Sequence, residues 1–130
     1  MSQTYNEEAF RYFLALERKR SERSRRSFLL LLVNVKKQPG MSNRIPPAIA
    51  ASLFSGLGLS VREVDFIGWF REERIAGAVL TQGVHSPEND ASALIGQRII
   101  ETLSESVPPE IARRLHVRVL QLRPPQESRQ

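Results

Sequence analysis

The stretch from Phe28 to Val35, FLLLLVNV, constrains the fold more than any other part of the sequence. It is an almost unbroken apolar run of strand length, which is typical of a strand buried on both faces within a sheet. It is also far shorter than the roughly 20 apolar residues that a membrane-spanning helix needs. The run therefore predicts the central strand of a sheet inside a globular domain.

The residues before this strand predict a long N-terminal helix from Asn6 to Arg26. Glu7 and Glu8 follow Asn6, and basic residues crowd the other end, as the helix macrodipole favours. The stretch from Arg18 to Arg26 contains no apolar residue. This end therefore stands in solvent or contacts an acidic partner, and solvent is the simpler interpretation.

The residues after the strand predict a helix, two strands, a helix and a strand. Pro46 and Pro47 begin a helix over 48–57 that the glycines at 56 and 58 are expected to end. Charged residues 71–74 separate two apolar, β-prone runs, 64–70 and 75–80, and predict a hairpin turn. Ser86-Pro87-Glu88 is a helix-start pattern, and apolar residues at 94, 95, 99 and 103 keep helical spacing. The alternation over 115–122 predicts a half-buried final strand.

The predicted order is a long helix followed by β-α-β-β-α-β. That order is typical of the α+β, ferredoxin-like arrangement, in which two helices cover one side of an antiparallel sheet. We expect an N-terminal helix with a basic end at 1–26, one α+β domain at 27–123 and a disordered tail at 124–130.

Composition excludes several classes of function. Without cysteine the chain has no thiolate nucleophile, zinc-thiolate site or disulfide. His85 and His116 are its only histidines and lack metal-ligand spacing, so we expect no metal and no cofactor. The N-terminus has no signal-peptide pattern, and a cytoplasmic protein without membrane insertion is expected. The net charge of +5 comes mostly from arginine. The planar guanidinium group of arginine can donate two hydrogen bonds at once to a phosphate or to the edge of a guanine base.

Several strings resemble the GGDEF-type nucleotide cyclase domains. A helix with an arginine-bearing end leads into an apolar first strand, which in the family ends in a metal-binding aspartate and here has Asn34. Arg62 and Asp65 form an Arg-x-x-Asp motif ahead of a strand and a hairpin. The family's hairpin reads Gly-Gly-Asp/Glu-Glu-Phe, whereas the corresponding residues here are Phe70-Arg71-Glu72-Glu73-Arg74.

The resemblance implies a domain that has lost catalysis. Two-metal nucleotidyl transfer needs carboxylates from the first strand and the hairpin. Asn34 carries no charge, which leaves Glu72 or Glu73 as the single hairpin carboxylate. The glycines that admit the nucleotide are also replaced, and Arg71 obstructs that approach. We therefore expect no enzymatic activity.

The Arg-x-x-Asp motif is the part of the resemblance that can still bind a ligand. In the family it is a product site for cyclic di-GMP, in which Arg62 would donate to a guanine edge and Asp65 would accept from the base. Arg71 and Arg74 are possible auxiliary contacts. Alternatively Asp65 caps a turn or pairs with Arg62, and no ligand binds.

The function predicted from the sequence is a non-enzymatic, GGDEF-like regulatory domain in cyclic di-GMP signalling. The alternative is a protein-interaction or oligomerisation domain without a nucleotide ligand, which docks or self-associates through its N-terminal helix. Nucleic acid is not the favoured partner. Trp69 and Phe70 are adjacent in a predicted strand, so one of them is expected on the open face of the sheet, where RNA-recognition motifs stack bases on aromatic side chains. The sequence string that marks those motifs, here called the RNA-recognition string, is absent.

Overall fold

The computed structural model describes residues 4–37, 39–40, 44–60, 64–81 and 92–123, which form an α+β fold. In this part of the chain, helices pack on both faces of a mixed five-stranded sheet. The elements are β1 (Thr4–Tyr5), α1 (Glu7–Ser24), β2 (Phe28–Val35), α2 (Pro47–Ser60), β3 (Val64–Arg71), β4 (Ile75–Leu80), α3 (Ser92–Ser106), α4 (Pro109–Ala112) and β5 (Leu115–Leu122).

The strands lie in the order β1-β3-β4-β2-β5. β1 is parallel to β3, and all other neighbours are antiparallel. The predicted strand over 28–35 is confirmed, and all but one of its side chains are buried. Its predicted central place is wrong, because the added strand β1 makes β4 the middle of the sheet.

The apolar run in β2 explains why helices cover both faces of the sheet. Leu29, Leu31 and Val33 face the core beneath α2 and α3. Phe28, Leu30 and Leu32 face a second core with residues of α1. The two helices α2 and α3 therefore cover one side of the sheet as expected, and α1 covers the other side.

Helix α1 has the local signals that the sequence indicated. The Asn6 side chain accepts a hydrogen bond of 2.9 Å from the Ala9 N–H, which caps the first turn. The helix ends at Ser24, and Arg25 follows with a left-handed φ of 61°. Phe10 and Leu14 point into the core, while Tyr12 and Leu16 are exposed. The predicted N-terminal helix is confirmed, with a slightly earlier end.

Helix α2 begins at Pro47 as predicted but runs through both of its glycines to Ser60. The prediction that Gly56 and Gly58 end the helix is wrong. A Cβ at Gly56 would lie 2.6 Å from Leu103 Cδ2 and 3.2 Å from Ser106 Oγ. Because those atoms belong to α3, this glycine permits the close approach of two helices.

Two short elements, β1 and α4, were not predicted, and both are too short to have a periodic pattern. α3 is confirmed, although Leu94 is 72% exposed rather than buried. The start pattern at 86–88 and the tail at 124–130 lie outside the described residues. Within the described ranges, no helix is long and apolar enough to cross a membrane.

Candidate functional site

The β3–β4 hairpin falls where the charged tetrad predicts it. Arg71 is the last residue of β3, so the turn itself consists of residues 72–74. The Arg74 N–H donates to the Arg71 carbonyl at 2.9 Å, and Glu73 has a left-handed φ of 63°. Glu73 is the third residue of the four-residue turn from Arg71 to Arg74, where a positive φ usually requires glycine or asparagine.

The carboxylate of Glu72 is engaged by the start of α1. The Glu7 N–H donates to Glu72 Oε1 at 2.9 Å, and the Glu72 N–H donates to Glu7 Oε1 at 2.7 Å. The Arg11 guanidinium lies 4.4 Å above the Phe70 ring centroid, and its Nε donates to the Phe70 carbonyl at 3.0 Å. These contacts fasten the hairpin to the first turns of α1.

The carboxylate of Glu73 is engaged on the opposite side of the turn. An ion pair of 3.2 Å joins Glu73 Oε1 to Arg44 Nη1, and the Ile45 N–H donates to the Glu73 carbonyl at 2.7 Å. Ile45 precedes α2, so this contact fixes the approach to that helix. The two hairpin carboxylates therefore point to different partners and are not paired with each other.

The replaced metal position lies at the same end of the sheet as the turn. Asn34 is half-buried in β2 and lies opposite His116 of β5. In the part of the chain that the structure describes, no group of three His, Asp or Glu side chains could hold a metal ion. The oxygen donors at this end are the amide of Asn34 and the carboxylates of Glu72 and Glu73. Both carboxylates already have partners, an N–H group for Glu72 and an arginine for Glu73.

Asp65 of the Arg-x-x-Asp motif lies at the far end of β3 from the turn. Arg62 is outside the described residues, and only the backbone of Asp65 is described. Val64 pairs with Leu80 and Phe66 with Val79, so Asp65 is the additional residue of a β-bulge. From Asp65 to Arg71 the strand extends about 20 Å, so the structure does not bring Arg71 and Arg74 beside Asp65.

A groove that the sequence did not indicate runs between α2 and the β1 side of the sheet. Its volume is about 810 Å³, and it is lined mainly by apolar side chains, with Glu72 and Glu73 at the turn end. Trp69 packs edge-on against Phe54 at 5.0 Å within it. Trp69 and Phe70 are both half-buried, so neither provides the exposed aromatic platform that the sequence allowed.

We expect Glu72→Ala to lower the free energy of unfolding by about 1 kcal/mol, because the Glu7 N–H loses its acceptor at the start of α1. Chemical denaturation measures the change. Glu101→Ala, at an exposed position inside α3, is the matched control and should leave stability within about 0.5 kcal/mol. Equal stability of both variants would contradict a structural role for Glu72.

No protein-family model matches the chain, and no curated protein matches it. The likeness to GGDEF-type domains therefore rests on the residues named above.

Proposed function

We propose that this chain is a non-catalytic, GGDEF-like regulatory domain of the cytoplasm that binds cyclic di-GMP through Arg62 and Asp65. In the row β3-β4-β2-β5 each strand is antiparallel to its neighbours, and each β-α-β crossover skips one strand. This order supports a ferredoxin-like core, to which α1 and β1 are additions.

The contacts of the hairpin support a domain without catalysis. A magnesium-bound triphosphate needs carboxylates that are close together and open to the metal. Here Glu72 accepts from the α1 backbone, Glu73 pairs with Arg44, and Asn34 supplies no charge. The turn acts instead as a structural link between α1, β3 and the start of α2.

The bulge at Asp65 is the observation that carries the receptor proposal. A bulge redirects a strand, and bulges are over-represented at sheet edges and next to binding sites. Arg62 lies three residues earlier, close enough along the chain for both side chains to contact one guanine. The arginine would donate to O6 and N7, and the carboxylate would accept from the base N–H groups.

Isothermal titration of the full chain with cyclic di-GMP tests the proposal. We expect binding that Arg62→Ala weakens about ten- to hundredfold, since a bidentate contact to guanine contributes roughly 1–3 kcal/mol. Arg98→Ala, at an exposed position in α3, is the control and should bind like the wild type. Absence of heat with the wild type would overturn the receptor proposal, and turnover of GTP with magnesium would overturn the non-catalytic one.

A protein-interaction domain is the second candidate, and the surface of α1 favours it. Tyr12 is 61% exposed and Leu16 is 42% exposed, one turn apart on the helix. Together with the apolar groove beside α2, they are surfaces that a protein partner could cover. If the titration detects no nucleotide binding, protein interaction becomes the better supported function.

A further inference from the structure

The C-terminal half of α1 and the turn after it form a strongly basic end of the molecule. Every basic side chain there is exposed, and Glu22 is the only exposed acidic residue between positions 18 and 26. Glu17 is nearly buried and pairs with Arg20 at 3.4 Å. The exposed basic residues are Arg18, Lys19, Arg20, Arg23, Arg25 and Arg26.

The register of the sheet places one further cation on the same side of the molecule. Leu32 pairs with Arg118, and directly opposed residues project to one face of a sheet. Since Leu32 lies in the core beneath α1, Arg118 also faces the α1 side. It is exposed because α1 packs mainly over β3 and β1 and leaves this side of β5 open.

The basic end of α1 and the open side of β5 are adjacent. Arg26 precedes Phe28 by two residues, Phe28 pairs with Leu122, and Arg118 lies four residues from Leu122 along β5, about 13 Å away. The strand β5 itself contains no acidic residue. We call the surface formed by the six cations of α1 and its turn, together with Arg118, the basic face.

Arg25 adopts a backbone conformation that is more usual for glycine. Its φ of 61° lies in the left-handed region that helix ends usually reserve for glycine, and a side chain there costs about 1 kcal/mol. The Ser21 hydroxyl donates to the Arg26 carbonyl and holds this turn.

We propose that the basic face binds the phosphodiester backbone of single-stranded nucleic acid without reading its sequence. Arginine forks pair with phosphate oxygens, and Arg118 adds a cation about 13 Å along β5 from the strand end that lies beside Arg26. A membrane surface fits less well, because residues 18–26 offer no apolar side chain to insert. The RNA-recognition string is not needed, since contacts to phosphates require no aromatic platform.

Fluorescence anisotropy with a labelled thymidine oligonucleotide tests this proposal on the full chain. The logarithm of the binding constant should fall with the logarithm of salt concentration by about 0.7 for each phosphate contact. Arg23→Gln with Arg118→Gln should weaken binding about tenfold or more at low salt and reduce the slope by about 1.4. Arg98→Gln with Arg113→Gln removes the same charge from α3 and the end of α4, and it should bind within about twofold of the wild type.

Arg25→Gly separates binding from folding. We expect its thermal midpoint to stay close to that of the wild type, because the relief of left-handed strain offsets the lost side-chain interaction of Arg25 and the greater chain entropy of glycine. Its affinity for the oligonucleotide should nevertheless fall about threefold or more. A loss of affinity with retained stability cannot be attributed to unfolding of α1.

Three results would overturn the proposal: no binding of the oligonucleotide at low salt, equal weakening in the control double variant, or tighter binding of polyglutamate or phosphatidylserine vesicles than of the oligonucleotide. The last result would assign the basic face to an acidic protein or to a membrane surface. Because Arg62 and Asp65 are unchanged in every variant, cyclic di-GMP titration of the same proteins tests the other proposal separately.

Discussion

Leu31→Ala is expected to lower the free energy of unfolding by about 2–5 kcal/mol, a large part of the total for a domain of this size. Leu31 is fully buried in β2, between Ala78 of β4 and Val119 of β5. Its side chain faces the core beneath α2 and α3, where three packed elements leave little room to close a cavity. Urea denaturation followed by circular dichroism measures the loss.

Leu120→Ala is the matched control for this prediction. Leu120 lies next to Leu31 in the sheet but on the other face, and its side chain is 38% exposed at the β5 edge. The same substitution there should cost at most about 1 kcal/mol, because most of the removed surface was already in contact with water. A similar loss in both variants would contradict the burial of β2 and the edge position of β5.

The elements that the sequence predicted correctly are those with a complete local pattern. The almost unbroken apolar run of β2 reflects burial on both faces, and the alternation of β5 reflects burial on one face. Each pattern can be recognised from the residues of the strand alone. The hairpin was also predictable, because the charges at 71–74 interrupt two apolar strands. The sequence alone therefore predicts that Glu72 and Glu73 lie in a turn, although it does not reveal their contacts.

The errors in the fold prediction come from contacts between residues far apart in the chain. Gly56 was predicted to end a helix because glycine often does so. In the structure it lies inside α2, where the absence of a side chain makes room for Leu103 of α3. β1 has two residues and exists because Tyr5 lies against Gly68, where a Cβ would approach the Tyr5 carbonyl oxygen to 2.5 Å. Neither partner is visible in a local window of sequence.

The candidate site shows the same limit. The sequence indicated which carboxylates the hairpin carries, but it could not show that Glu72 accepts from the Glu7 N–H. That contact joins residues 65 positions apart and depends on how α1 crosses the sheet. The basic face likewise combines a helix end that the sequence shows plainly with Arg118, whose orientation follows only from the strand register.

The second large effect is expected where α1 meets the sheet. Phe10 is fully buried, and its ring packs at 5.3 Å against that of Phe66. Phe10→Ala should lower the free energy of unfolding by about 3–5 kcal/mol, because it leaves a cavity under the helix. Tyr12→Ala removes an aromatic ring from the exposed side of the same helix and should cost less than about 1 kcal/mol.

Gly77 provides a sharper test of this contact, because a Cβ there would lie 2.8 Å from Phe10 Cζ and 3.1 Å from Cε2. Gly77→Ala alone should therefore cost about 1–3 kcal/mol by overpacking a ring that has no room to move. In the Phe10→Ala background the added methyl group enters the cavity, so the double variant should be more stable than the sum of the two losses by about 1–3 kcal/mol. Strictly additive losses would mean that the ring does not lie over Gly77, and the placement of α1 on the sheet would then be wrong.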